Sequence, residues 1–348
     1  MDVDQFIGAK KPAPESPTDA AAPDQRVTRF NIGIWPNVPE AIYHADCAAD
    51  GISASSSALK TLIEQSPMHA AYSHPRLNRQ WVPTESTDAQ IKGTILHSLM
   101  LDTPAPYRVL NFKDYRTDAA KAAKAQCFKD GKLPILADRM EDLFETASEV
   151  RNRLIDGFPA VWAALTDPDT MHEATLIFRR DGVLCRSRCD TLPPDKYNAA
   201  YDFKFTGREA EPEAWQRKLV NDYLIQAVLY PYGIEALRGD EPEFRYIVVE
   251  WDPPYGITVN ALAPELAEIG RRRLNDALLI WQECVETGKW PGYPTFIHYA
   301  EPPGWLANQE EARIIARESA REWARREETK KLAAAAAPAI ERSQEGPL

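Results

Sequence analysis

The sequence predicts an α/β (α+β) domain in which a central mixed β-sheet is flanked by helices. Three observations carry that expectation. Apolar residues recur at helical spacing through residues 38–165. Short alternating segments then cluster after residue 170 around Asp181-Gly182, a two-residue hairpin turn. A helix, a further strand and a long helix follow, so one sheet is packed by helices contributed from before and after it.

The elements follow in order. Residues 1–28 hold too little apolar surface to offset the entropy of ordering and are expected to be a disordered tail. Asp50-Gly51-Ile52-Ser53 is a turn, and the serines after it cap a helix that ends near Ser66-Pro67. A second helix covers about 87–101, apolar at Ile91, Ile95, Leu96 and Leu99; a short one covers 117–128. A longer amphipathic helix is expected over 138–165, with Met140, Leu143, Val150 and Leu154 on one face. Ala174–Arg179 and Val183–Leu192 are strands flanking the hairpin turn, and Ala199–Phe205 is a third after Pro193-Pro194. A helix at about 211–237, a strand at Phe244–Trp251 and a helix at about 263–288 complete the core. A helix rich in Glu, Arg and Ala is expected over 307–334, fraying into a disordered end. The organisation is therefore one domain over 29–306, with a helical half (38–165) and a sheet-containing core (170–295), followed by a charged helix and tail over 307–348.

Composition narrows the class. The chain has 348 residues, 44% hydrophobic and 9% aromatic, enough for a real core. No run of eighteen apolar residues occurs and the start has no basic-then-apolar leader, so a soluble cytoplasmic protein without a membrane partner is expected. The five cysteines (Cys47, Cys127, Cys185, Cys189, Cys284) are scattered and odd in number, which argues against a disulfide framework. A net charge of -11 speaks against a general nucleic-acid coat protein, though it permits an enzyme with a local basic channel. No G-x-x-x-x-G-K-[ST] loop is present, so no nucleotide cofactor is expected.

Strand alternation sorts the polar residues onto faces. In Val183–Asp190 one face holds Val183, Cys185, Ser187 and Cys189, and the other Leu184, Arg186, Arg188 and Asp190. In the next strand Tyr201, Phe203 and Phe205 share a face, with Asp202 and Lys204 opposite. If the two strands are neighbours, Asp190, Asp202 and Lys204 converge on one cleft. Phosphodiester hydrolysis needs such a set: hard oxygen ligands for Mg²⁺, and a lysine able to orient or deprotonate the attacking water. An isolated Asp-x-Lys is equally a solvated strand face, so its surroundings decide. Gly93 and His97 lie one helical turn apart, and so do Gln226 and Tyr230, on the face of Leu219 and Tyr223. By itself His97 reads as a core histidine, and Gln226 and Tyr230 as helix packing. Arg186 and Arg188 on their strand, and Lys121 and Lys124 on one side of a short helix, are candidate DNA contacts against the ordinary reading of solvated charge.

Taken together, Gly93-Thr94-Ile95-Leu96-His97, Asp190, Asp202-Phe203-Lys204 and Gln226-Ala227-Val228-Leu229-Tyr230 follow the order GxxxH, D, DxK, QxxxY. This series resembles that of the RecB-like branch of the PD-(D/E)xK nuclease superfamily. The segment from Gly51 to Lys60, with Ser66-Pro67-Met68-His69 after it, is similar to the opening of RecE-type (exonuclease VIII-like) phage and prophage exonucleases. Asp190 follows Cys189 here, not the proline of the superfamily's name. The resemblance spans roughly residues 38–295 and implies a restriction-endonuclease-like core. It implies one or two Mg²⁺ (or Mn²⁺) ions held by Asp190, Asp202, the Phe203 carbonyl and His97, with Glu173 a further ligand or a strand-edge charge. Lys204 would be catalytic, Gln226 would brace Lys204 or the scissile phosphate, and Tyr230 would support the DNA or the wall. It further implies 5′-to-3′ digestion of double-stranded DNA ends, leaving 3′ single strands for a single-strand annealing protein. A ring-like homo-oligomer in a bacterial or phage-infected cell belongs to the same expectation. Some relatives hold an iron–sulfur cluster with three cysteines downstream of the core; only Cys284 lies there, so none is expected. The alternatives are a CRISPR-adaptation-type or structure-specific nuclease, or a catalytically silent DNA-binding adaptor.

Overall fold

The computed structural model describes residues 28–83, 86–104, 107–207 and 209–336. These fall into two units, one ending at Tyr293 and one starting at Pro294. In chain order the first holds β1 (Gly33–Trp35), α1 (Glu40–His44), α2 (Ser56–Glu64), α3 (Pro67–Ser73), α4 (Asp88–Leu101), β2 (Tyr107–Leu110), α5 (Asp118–Lys129), β3 (Leu133–Leu136), α6 (Ala137–Gly157) and α7 (Pro159–Leu165). It continues with β4 (Met171–Arg180), β5 (Val183–Leu192), β6 (Ala199–Thr206), α8 (Pro212–Lys218), a π turn (Leu219–Tyr223), α9 (Leu224–Arg238), β7 (Glu243–Glu250), β8 (Ile257–Ala261) and α10 (Pro264–Thr287). The second unit carries α11 (Gly304–Ala336), close to the charged helix expected at 307–334. The tails expected before residue 28 and after Ala336 lie outside the described residues. Among the described residues no helix is long and apolar enough to cross a membrane.

The fold is α/β with a central mixed sheet between helices. Its strand order is β1-β4-β5-β6-β7-β8, with β6 and β7 parallel and the other neighbours antiparallel. Alternation along β6 and β7 feeds two separate cores. Ala200, Tyr246 and Val248 pack towards Leu59 and Leu62 of α2, Val228 of α9, and Leu274 and Trp281 of α10. Tyr201, Phe203, Ile247 and Val249 pack on the other side, among Met100 and Leu101 of α4, Val150 and Leu154 of α6, and Leu165 of α7. The period-two pattern is what makes one sheet serve both. Helix α4 enters through a capping box, Thr87 accepting from Gln90 N–H while the Gln90 side chain accepts from Thr87 N–H.

Several boundaries differ from expectation. The helix expected at 138–165 breaks at Phe158, which leaves helical conformation (φ -136°, ψ 56°) immediately before Pro159. Proline lacks the N–H that would continue the ladder, so α7 starts afresh. The helix expected at 211–237 is interrupted by the π turn. The first meander strand begins at Met171, so Glu173 lies inside it and not before it. A parallel pair, β2 with β3, was not anticipated; four-residue strands carry almost no periodic signal, and Pro134 suggests loop.

The segment from Phe30 to Ala54 folds back over β5. Ala54 N–H donates to Leu184 O (2.9 Å), and Arg186 N–H donates to Ala54 O (2.9 Å). Beneath it, buried Asp46 (0% exposed) meets Arg186 Nη1 (3.2 Å), Arg76 Nη1 (3.5 Å) and Ser53 N–H (3.1 Å). His74, also buried, is pushed down to about 4 by its burial, so it is neutral at pH 7 and donates from Nε2 to Ser53 O (3.1 Å). Asp46→Ala would leave Arg186 without its counter-charge in a dry site, and is expected to cost about 3–5 kcal/mol. Urea unfolding of the variant against wild type checks this.

Candidate active site

Strands β5 and β6 are joined by one registered pair, Thr191 with Tyr201, and then part. The Asp190 side chain fills the break, its Oδ2 accepting Phe203 N–H at 2.7 Å. Asp202 and Lys204 follow on β6 as an ion pair. Glu173 stands opposite Asp190 in the β4–β5 register but outside the paired set, because its φ of 49° turns the backbone out of the ladder. A left-handed glutamate costs about 1–3 kcal/mol, and such strain concentrates at functional sites. α4 lays His97 over this junction, Nδ1 3.3 Å from Asp190 Oδ2, edge-on to Phe203 and Phe205. A Cβ on Gly93 would meet nothing within 4 Å, so no backbone from another element packs against it.

Donor atoms of His97, Glu173 and Asp190 all lie within 4.8 Å of one another. Two carboxylates and an imidazole in that compass suit a hard divalent cation with room for one nitrogen ligand. Asp202 lines the same cleft from the β6 side, and its orientation is fixed because Gln226 Nε2 donates to its Oδ2 at 2.6 Å. The surrounding cleft holds about 770 Å³ and is lined by His97, Glu173, Arg188, Asp190, Asp202, Lys204, Gln226 and Tyr230, with Glu40, Tyr43 and His44 of α1 across from them.

Burial pushes the Asp202 carboxyl up to about 6, with the nearby Asp190 charge adding and Lys204 opposing. Asp190 is raised for the same first reason, again against Lys204. Burial pushes His97 down to about 4, so it presents a lone pair at neutral pH. Burial alone would lower Lys204, but Asp202 and Asp190 outweigh it and raise its pKa, keeping it an ammonium. A cation engaging Asp202 would therefore have to displace a proton from it below pH 6, and its binding would weaken as pH falls through that value. A drop from about pH 7.5 to about pH 5.5 is expected to raise the Mn²⁺ Kd roughly fourfold from this one group, measured by isothermal calorimetry.

The structure brings His97, Glu173, Asp190, Asp202, Lys204, Gln226 and Tyr230 to one cleft. Gln226 donates to Asp202, where the resemblance implies Lys204 or the scissile phosphate. The Phe203 N–H holds Asp190. Arg186 leaves the cleft for the buried Asp46 cluster, with 4% exposure, whereas Arg188 stays in it, paired with Glu173 (2.9 Å) above the Tyr43 ring (5.0 Å). Lys121 and Lys124 lie on α5 outside the cleft, paired with Asp118 (3.7 Å) and Asp88 (3.1 Å). Tyr230 is buried, edge-on to Phe244, and forms cleft wall. Glu40 and Tyr43 were missed; only the long-range return of the N-terminal segment brings them here.

Residues 55–301 match the family model described as "PDDEXK-like domain of unknown function (DUF3799)". No curated protein matches significantly. Among solved structures, the chain is similar to one described as "Putative exonuclease" from Eubacterium rectale, at 12% identity and a TM-score of 0.46, covering 73% of this chain and 92% of that one.

Proposed function

The chain belongs to the PDDEXK-like domain family DUF3799, and on that premise we propose that it is a divalent-metal-dependent deoxyribonuclease. One observation carries the reading: His97, Glu173 and Asp190 offer donors within 4.8 Å of one another beside the Asp202–Lys204 pair. His97, Glu173, Asp190 and Asp202 would hold Mg²⁺ or Mn²⁺, with the Phe203 carbonyl a further ligand. When bound, the cation supplies charge neutralisation for the anionic transition state and the leaving oxygen. The protein's own groups do the rest. Lys204 directs an ammonium into the cleft, where it orients the attacking water and offsets charge on the phosphate. Gln226 keeps the Asp202 carboxylate at a fixed angle. Arg188, held by Glu173, presents a guanidinium at the cleft for a neighbouring phosphate.

The finer reading is an exonuclease working 5′-to-3′ on double-stranded DNA ends, leaving 3′ single strands for an annealing protein, as a homo-oligomeric ring. What supports it is the ordered series from Gly93 to Tyr230 and the RecE-like opening at Gly51. Linear duplex labelled at the 5′ or the 3′ end, alongside a covalently closed circle, tests it with Mg²⁺ present. The 5′ label should be released first and the circle should survive. Cutting of the circle makes it an endonuclease, and early loss of the 3′ label reverses the polarity.

A further inference from the structure

We propose that Tyr223 is a positioning residue for Lys204: its ring, set in place by the π turn, holds the lysine's ammonium independently of Asp202. The catalytic meaning of this rests on the nuclease reading, but the placement does not.

The helical pattern runs unbroken from 211 to 237 in the sequence, yet the backbone widens over Leu219–Tyr223. Tyr223 then leaves helical conformation at φ -121°, ψ 0° before α9 begins. A π turn inserts one residue into the helical repeat and so swings its last side chain about 100° round the axis relative to an uninterrupted helix. Here the swing lays Tyr223 flat on Trp215 (5.9 Å between centroids, 7° between planes) and against Tyr246 (5.6 Å). Both supporting rings are buried, at 2% and 0% exposure. The Tyr223 carbonyl accepts from the Tyr246 hydroxyl at 3.2 Å, locking the turn to β7. On the ring so fixed, Lys204 Nζ stands 4.8 Å from the Tyr223 centroid and 5.7 Å from that of Tyr246.

The arrangement answers a specific need. The ion-pair anchor of Lys204 is Asp202, the same carboxylate that a divalent cation would engage. As that carboxylate's charge is shared, its hold on the ammonium weakens, and a four-carbon stem regains its rotamers. An aromatic face attracts the ammonium through its quadrupole, whatever charge Asp202 carries. Tyr223 thus keeps Nζ in one place through the cycle, and its hydroxyl is not required.

Reductive methylation with ¹³C-formaldehyde reads the placement without any nuclease assay. The dimethyl-Lys204 signal, identified by its loss in Lys204→Arg, should keep one upfield position in wild type and Tyr223→Phe, and move downfield in Tyr223→Leu. On linear DNA, Tyr223→Phe should keep kcat, while Tyr223→Leu loses about tenfold in kcat with KM unchanged and cooperative unfolding retained. If Tyr223→Leu loses its cooperative unfolding transition, Tyr223→Met takes its place. An upfield signal that persists without the ring, a wild-type kcat in Tyr223→Leu, or equal loss in Tyr223→Phe overturns the proposal. An upfield signal in a wild type that cuts no DNA upholds the placement and sinks the nuclease reading instead.

Discussion

Lys204→Met is expected to lower kcat on linear duplex DNA by about a hundredfold to ten-thousandfold, with KM and divalent-cation affinity close to wild type. Methionine keeps an unbranched stem against Tyr223 and Tyr246, so the floor of the cleft stays filled. What it removes is the ammonium, whose ion pair with Asp202 puts the only lysine charge among the cleft-lining residues beside the donor cluster. That cation repels an incoming metal ion, so its loss leaves metal binding intact or slightly tighter. Turnover and metal affinity should therefore separate. Steady-state kinetics with Mn²⁺ calorimetry on the same preparation measures both, and a parallel loss of metal affinity would assign Lys204 to architecture.

Asp190→Asn is expected to do the reverse to metal binding and to raise stability. The amide oxygen can still accept Phe203 N–H, which preserves the parting of β5 and β6. Burial raises the Asp190 pKa, and its charge in turn helps raise that of Asp202, so the native carboxylate is unfavourable to the metal-free fold. Removing it should leave the thermal midpoint unchanged or higher in EDTA. The same change deletes an anionic ligand shared by the His97–Glu173–Asp190 cluster, and second-order loss of the cation should cut kcat/KM by about a thousandfold or more. Greater stability with less activity marks a residue kept for function and not for folding. A lower midpoint would mean that Asp190 is structural.

Much of this site was legible from alternation alone, since Asp202 and Lys204 two apart on a strand must share a face. The ordered Gly93–His97 and Gln226–Tyr230 spacings then gave the neighbours. Other features were not legible, each for a physical reason. Arg186 shares the strand parity of Arg188, but the segment from Asp46 to Ala54 crosses β5 above it and takes its charge into the core. The partner of Gln226 depends on the π turn, and the hydrophobic pattern runs through that turn without a mark. The left-handed backbone at Glu173 carries no residue signal, because a glutamate there is chosen against local preference. The break before Pro159 was written in the sequence, whereas the wall formed by Glu40 and Tyr43 depends on a return of chain across more than a hundred residues. Net charge pointed away from DNA altogether: the -11 total says nothing of one guanidinium and one ammonium set beside four metal-capable side chains.

The most direct measurement is cleavage of linear duplex DNA by the wild-type protein in Mg²⁺, in EDTA, and by Asp202→Ala in Mg²⁺. Digestion is expected in the first case and intact DNA in the other two, with Asp202→Ala folded by circular dichroism. Digestion by Asp202→Ala at the wild-type rate, or undiminished digestion in EDTA, would contradict that expectation.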